Sequence, residues 1–384
     1  MSTSPTANWS YPTAIRFGAG RIKELAQACR SAGIGRPLFV TDAGVAALPM
    51  TAAAMEVCRA DGLDCGLFAD VRPNPVAADI EAGLKVYRDG GHDGVVAFGG
   101  GSDLDAGKVI AFMSGQTRPM WDFEDIGDWW TRADPDGIAP IVAVPTTAGT
   151  GSEVGRAGVV INEETHTKKI IFHPKMLPAV VICDPELTVG LPPKITAGTG
   201  MDAFAHCLEA YCAPTYHPMS EGIAVEGMRL VKEYLPRACR DGTDIEARAH
   251  MMSAAAMGAV AFQKGLGGIH AISHPIGALY DTHHGMTNAV VMPAVLRFNA
   301  AVIETKISRL AGWLGLAPAT FDGFLQFVVD LRHKVGVPGG LRELGVDDVR
   351  FDEMAEMAAV DPTAGGNPIP ITPQVARQLL DAAY

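Results

Sequence analysis

Asp202 and His206 stand four residues apart in GMDAFAHCLEAYC, where apolar residues recur at helical spacing, so their side chains fall one turn apart on one face. His270 and His274 repeat that spacing in GLGGIHAISHPIGALY, and His284 follows in the turn-like THHGMTN. Seven of the eleven histidines lie between residues 206 and 284. One histidine on an apolar helix is ordinarily a satisfied core residue. A carboxylate and several imidazoles at ligand spacing suit a divalent transition ion of the Fe, Zn or Mn kind. Spacing alone does not choose between His270 and His274.

Other residues point to a nucleotide. Gly99-Gly100-Gly101-Ser102 follows the strand-like VVAF and precedes the helical DLDAGKVIAF. Glycines at such a turn let a phosphate approach the backbone and meet the free N–H groups of a helix N-terminus. By themselves three glycines are as well read as a tight turn with a Ser/Asp cap. PLFVTDAG adds Asp42 at a strand end, a carboxylate able to accept from a ribose 2′-OH and to repel a 2′-phosphate. Asp42 precedes the glycines, whereas the usual dinucleotide fingerprint places its acid about 20 residues after them, so this is not an ordinary Rossmann unit. A third turn, Pro145 to Ser152 (PTTAGTGS), again follows a strand, and its hydroxyls and amides could line a nicotinamide-ribose site.

These groups need a scaffold of some size, and 384 residues exceed the size at which one core stops growing, so two domains are expected. Hydrophobic residues are 48% and charged residues 19%, which excludes a disordered chain. Through the first half, short apolar runs (PLFV, GVVAFG, IVAVP, AVVIC) alternate with helical patterns, as in a mostly parallel sheet covered by helices. After Pro192-Pro193 the helical period takes over with few strand-like runs, so the boundary is placed near Leu191. The 31 Lys+Arg against 43 Asp+Glu, net −12 without a basic run, argue against nucleic acid and anionic membranes as partners. Seven scattered cysteines without C-x-x-C argue against a disulfide framework or a thiolate zinc site and fit a reducing cytoplasm. The N-terminus lacks a signal-peptide pattern, and the longest apolar stretch, near Met251–Phe262, is too short to cross a membrane.

GMDAFAHCLEAY, GLGGIHAISHPIGALY and THHGMTNAVVMP, with GGGSDLDAGK and PTTAGTGSEV upstream, resemble the iron-containing (group III) alcohol dehydrogenases over nearly the whole chain. The resemblance implies an α/β dinucleotide-binding domain over 1–190 and an all-helical metal-binding domain over 191–384, a dehydroquinate synthase-like architecture with the site in the cleft between them. It implies Asp202, His206, His270 and His284 as metal ligands, with His274 beside them pointing toward cofactor and substrate. It implies Asp42, Asn74, Gly100, Gly101, Ser102, Asp105, Thr146, Thr147, Thr150 and Lys168 as cofactor residues. Lys168 is preferred to Lys169 because it keeps the family spacing to the following HP dipeptide and ICDPEL. YPTAIRFGAG resembles the family's edge hairpin, which makes a homodimer the expected state.

The expected activity is hydride transfer between NAD(H) and a small primary alcohol or aldehyde, assisted by Fe(II) or, alternatively, zinc. Four protein ligands leave the substrate oxygen to enter as a fifth, which suits Fe(II) better than a structural zinc. His274 either exchanges the proton with solvent or orients a ligand. The alternative is an NAD- and metal-dependent lyase of the dehydroquinate synthase-like type, which would need a basic cluster for a substrate phosphate that the helical half does not show. One departure from the family concerns the substrate pocket: Gln263-Lys264 stands between Phe262 and Gly265-Leu266-Gly267, one residue shorter than usual and with Lys in place of a small residue. That leaves Ala261 and Phe262 as rival apolar walls. It gives Lys264 two readings, a cation that reaches water or pairs with an acid, or one that receives the anionic group of an ω-hydroxy acid or semialdehyde such as 4-hydroxybutyrate.

Overall fold

A computed structural model describes residues 13–165 and 167–384. The described residues fall into two compact units, one of 13–147 with 151–190, the other of 148–150 with 191–384.

The first unit is built on strands β1 Ala14–Phe17, β2 Pro37–Val40, β3 Gly66–Phe68, β4 Gly94–Gly99, β5 Ile141–Pro145, β6 Ala157–Asn162, β7 Thr167–Phe172 and β8 Val180–Cys183. Six form one parallel sheet in the order β1-β8-β5-β4-β2-β3, and β6 and β7 form a separate antiparallel pair. The central strands are buried along their whole length, which explains why they read as unbroken apolar runs instead of alternating ones. Helices α1 Leu25–Ser31, α2 Ala43–Ala46, α3 Pro49–Ala60, α4 Ala77–Asp89 and α5 Gly101–Met113 connect them. From β2 the chain moves outward to β3, then crosses back to β4 and continues the other way to β5. The carboxyl ends of β2 and β4 therefore flank the point where the strand order reverses, the place where open α/β sheets bind ligands.

Of the segment YPTAIRFGAG, whose resemblance to the family's edge hairpin makes a homodimer the expected state, residues 13–20 are described. Within the described residues, Ala14–Phe17 runs parallel to β8, pairing Ala14 with Val180 and Phe17 with Cys183, and continues into a turn at Gly18. Tyr11 and Pro12 lie outside the described residues.

The second unit holds α6 Pro193–Cys212, α7 Pro218–Arg240, α8 Ile245–Ala261, α9 Gly268–Tyr280, α10 His284–Trp313, α11 Phe321–Lys334, α12 Phe351–Ala359 and α13 Pro373–Ala383. Helix α6 is buried almost continuously from Thr196 to Tyr211 and is enclosed by α7, α8 and α10. Such enclosure needs small residues at the contacts. A Cβ on Gly285 would lie 2.1 Å from the Gly198 carbonyl oxygen, and one on Gly258 would lie 3.0 Å from the His206 Cβ. These glycines bring α10 and α8 close enough to α6 for their side chains to converge. Helix α10 is long and apolar enough to cross a membrane by length and composition, longer than the Met251–Phe262 stretch singled out in the sequence, but 72% of its apolar window is buried within the fold. Its apolarity serves a core.

Candidate metal centre and nucleotide site

Helix α6 presents Asp202 and His206 on one face, α9 presents His270 and His274, and His284 is the first residue of α10 rather than a turn residue. Asp281, at φ +50°, ends α9 and lets the chain turn into α10 with His283 capping it. The two α9 histidines differ in their distance from Asp202. Asp202, His206 and His270 bring ligand atoms within 4.8 Å of one another. From Asp202 Oδ1 the distances to Nε2 are 3.8 Å for His206, 3.7 Å for His270 and 3.5 Å for His284. Atoms held about 2.1 Å from one ion in a tetrahedral array lie ~3.4 Å apart, so this donor set fits a divalent transition ion with little movement. His274 instead stands beside the cluster, its ring 5.5 Å from that of His284 and 5.7 Å from that of His270.

Electrostatics agree with a cation site. Burial acts to raise the Asp202 carboxyl, but its interactions with the His206, His284 and His270 rings outweigh it and pull the group well below the usual carboxylate range. Burial dominates at His206 and pushes the imidazole down to about 4, which keeps it neutral and fit to ligate. At His270 burial is overcome by Glu209 and Asp202, and the ring is raised to about 9.

Glu209 was not anticipated. Its Oε2 pairs with His270 Nδ1 at 2.5 Å, which turns Nε2 of that ring toward Asp202, and its Oε1 accepts from the Ile269 N–H at 2.6 Å. One carboxylate thus fixes the tautomer of His270 and satisfies the buried N-terminus of α9. The adjacent Gly268 N–H donates to Asn367 Oδ1, which also accepts from Asn299. Asn288 was also missed: its amide donates to Asp202 Oδ1 at 2.7 Å and lies 3.2 and 3.1 Å from Nε2 of His270 and His284. A cue existed for both, since Glu209 is three residues after His206 and Asn288 four after His284, each on its ligand's helical face. None existed for Asp361, which accepts from His274 Nδ1 at 2.9 Å across 87 residues of chain. Glu209→Gln is expected to weaken metal affinity by about 10–100-fold, as measured by competition with a chelator, without unfolding the helices.

Of the rival walls, Ala261 ends α8, fully buried, while Phe262 sets its ring 5.1 Å from that of His206. Lys264 is engaged by groups of the protein. Its side chain is fully buried and its ammonium donates to the carbonyls of Ala210 (3.0 Å), Tyr211 (3.3 Å) and Ala213, with Glu221 at 3.3 Å. It caps the carbonyl end of α6, where orphaned C=O groups and the helix dipole favour a cation. Burial, with Lys306 nearby, pulls it down to about 8 against the opposing pull of Glu221.

In the sheet unit, Asp42 caps α2 at the end of β2, its Oδ1 accepting from Gly44 and Val45 N–H. Gly100 and Gly101 open α5 at the end of β4; Gly99, at φ +147°, could carry no Cβ, which would stand 2.1 Å from Asp103 Oδ2. Ser102 donates to the carbonyl of Pro73, placing Asn74 next to this turn, and Thr146 N–H donates to Gly99 O. Thr147 lies 3.5 Å from where a Cβ on Gly100 would be. Asp42, Asn74, Gly100, Gly101, Ser102, Thr146 and Thr147 are thus gathered around the switch point. Thr150 groups with the helical unit, where Gly149 abuts Thr199. Lys168 lies on β7 opposite Ile161, while its neighbour Lys169 is engaged by Glu124. Asp105 has both oxygens met from within the protein, by Ser152 Oγ at 2.5 Å, Lys108 and Val159 N–H, so it braces α5 against the following segments. Asp103, passed over in the sequence, is 3% exposed and pushed up to about 8 by burial and by the Asp42 charge.

A sheet with a glycine turn at its switch point and an Asp/His donor set in one chain are the equipment of a metal-dependent oxidoreductase. The model of the family "Iron-containing alcohol dehydrogenase" matches residues 12–185, and that of the "Fe-containing alcohol dehydrogenase family, C-terminal" matches 196–384. The chain is 41% identical over 381 residues to the 4-hydroxybutyrate dehydrogenase of Cupriavidus necator, covering 97% of this chain and 98% of that one. A crystal structure of 1,3-propanediol oxidoreductase superposes with TM-score 0.93 at 34% identity, covering 98% and 99% of the two chains. The sulfoacetaldehyde reductase of Bifidobacterium kashiwanohense, solved with NAD+, gives 0.89 at 28% identity over 99% of each. The chain belongs to the iron-containing alcohol dehydrogenase family. It is an alcohol oxidoreductase, and a dehydroquinate synthase-like lyase is not favoured.

Proposed function

We propose that this protein is an NAD(H)-dependent dehydrogenase of small primary alcohols, with 4-hydroxybutyrate and its semialdehyde as the preferred pair. The convergence of Asp202 with His206, His270 and His284 carries the reading. Fe(II), or zinc in its place, would supply the Lewis acidity that polarises an alcohol or carbonyl oxygen, and NAD(H) would supply the hydride exchange. Asp202 would provide the one anionic ligand and the imidazoles the neutral ones, with Glu209, against His270 Nδ1, leaving Nε2 of that ring as the ligating atom. Asp361 accepts the Nδ1–H of His274, leaving Nε2 of that ring to take up and release the substrate proton. Phe262 keeps water from one side of His206.

NAD(H) is supported by Asp42 at the sheet's switch point and by the NAD+ complex of the related reductase. The four-carbon hydroxy acid is supported by the named activity of the 41% identical relative, and no longer by Lys264. A homodimer is supported by edge strand β1, which pairs on one side only among the described residues and exposes Ile15 and Phe17. Cytoplasmic residence is supported by seven unpaired thiols. The small molecule is the only partner proposed; neither nucleic acid nor a membrane is.

NADH formation by iron- or zinc-loaded enzyme, followed at 340 nm across 4-hydroxybutyrate, 1,3-propanediol, 1-butanol and methanol, tests the reading. The highest kcat/KM is expected for 4-hydroxybutyrate, by about tenfold or more over 1-butanol. No turnover of any primary alcohol would overturn the activity, and equal kcat/KM values would remove the substrate.

A further inference from the structure

Helix α9 carries both His270 and His274 but does little to fix its own position. Its N-cap is Gly267, which has no side chain to meet the first N–H groups, and Pro275 inside the helix lacks the N–H that would bond the carbonyl of Ala271. Its placement therefore comes from its neighbours. Glu209 on α6 takes the Ile269 N–H, and the rest of the hold comes from one stretch of chain, residues 361–369. Asp361 Oδ2 pairs with His274 Nδ1 at 2.9 Å, while its Oδ1 accepts from the N–H and the hydroxyl of Thr363. Asn367 Oδ1 accepts from the Gly268 N–H at 3.0 Å. Its amide also closes a two-way pair with Asn299 of α10, each Nδ2 donating to the other's Oδ1 at 2.9 Å, and donates to the Ile369 carbonyl at 2.7 Å. Both asparagines are buried. Beside them the two backbones touch, since a Cβ on Gly366 would lie 2.0 Å from the Leu266 carbonyl oxygen.

We propose that Asn367 is a positioning residue of the metal centre: by holding the Gly268 N–H it sets the depth and rotation of α9, and with them the approach of His270 Nε2 to Asp202. The inference rests on the metal reading of Asp202, His206, His270 and His284. Without Asn367 the Gly268 N–H has no partner at a buried helix end, and α9 must shift to find one. His270 moves with α9, whereas Asp202 and His206 stay on α6. A metal site tolerates ligand displacements of only about 0.2 Å, so even a small shift of α9 reaches the ion. The same stretch of chain holds His274 through Asp361, so one segment places the ligand and the proton-exchanging imidazole together. Asn299 differs in kind. It braces Asn367 from α10 and, among the described residues, bonds none of the α9 N–H groups.

The test uses the full-length protein loaded with Co(II), whose visible absorption reports ligand geometry, and needs no turnover. Three quantities are read: the spectrum, the Co(II) dissociation constant by competition with a chelator, and the melting temperature. Asn299→Ala and Asn367→Ala each break the amide pair, so both should lower the melting temperature. Only Asn367→Ala frees the Gly268 N–H. Its Co(II) affinity should fall by about tenfold or more with an altered spectrum, while Asn299→Ala keeps the wild-type spectrum and an affinity within about threefold. Asn367→Ser, polar but too short to span Gly268 and Asn299, is the second route if the alanine variant is poorly folded. Equal loss of Co(II) affinity at the two positions, or an unchanged spectrum and affinity in the Asn367 variants, overturns the proposal and leaves the pair a stabilising contact only. Failure of the wild type to bind Co(II) would instead overturn the metal reading and the proposal with it.

Discussion

Replacing His270 with alanine should strip the bound metal and abolish turnover while leaving NADH binding in place. His270 Nε2 is 3.7 Å from Asp202 Oδ1, its Nδ1 is held by Glu209, and both rings of the α6–α9 contact are buried. Alanine therefore removes a ligand and leaves the Glu209 carboxylate buried without its imidazole, so metal affinity should drop by more than the about 10–100-fold expected when only the outer partner is lost. Of the proposed nucleotide groups, all but Thr150 belong to the other compact unit, which the substitution does not touch. His284→Ala should behave likewise. His274→Ala is the contrast: its ring stands beside the cluster and hydrogen-bonds Asp361, so activity should fall further than metal content. Metal analysis of the purified variants, with NADH titration alongside, gives the answer. Loss of metal from His274→Ala with retention in His270→Ala would reverse the two assignments.

Lys264→Ala is expected to destabilise the helical unit without altering substrate charge preference. The substitution leaves the carbonyls of Ala210, Tyr211 and Ala213 without their donor at a buried helix end and withdraws one of the two lysines that Glu221 pairs with, the other being Lys306. Removing one member of such a buried set costs about 2–4 kcal/mol. In a unit of this size that lowers the melting temperature by ~5–15 °C, readable by calorimetry on the metal-free protein. The kinetic arm uses 4-hydroxybutyrate against 1-butanol. The ratio of the two kcat/KM values should stay within about threefold of wild type, because the ammonium is saturated by protein acceptors. A loss of tenfold or more confined to the acid would show that Lys264 reaches substrate after all.

Both expectations trace to what could and could not be seen in the chain. The α/β then all-helical order was legible because parallel strands buried on both faces read as continuous apolar runs and enclosed helices keep a 3.6-residue period. Asp202 and His206 stood out as candidate ligands because residues on one helix face recur at its period, whereas His270 and His284 joined them through the family resemblance. The same period places His270 and His274 alike on one face of α9, and only the position of α9 against α6 makes His270 the member near Asp202. Lys264 shows the opposite failure: a cation beside a cavity-lining segment invites a substrate reading, yet its neighbours are the carbonyls of residues 210–213, some fifty positions away, which no local pattern announces. Sequence by itself determined the residue types, their helical and strand periods and the turns that need glycine, because these act within a few residues. Tertiary structure decided the partners of each ionisable group, because burial and charge act between atoms that only folding brings together.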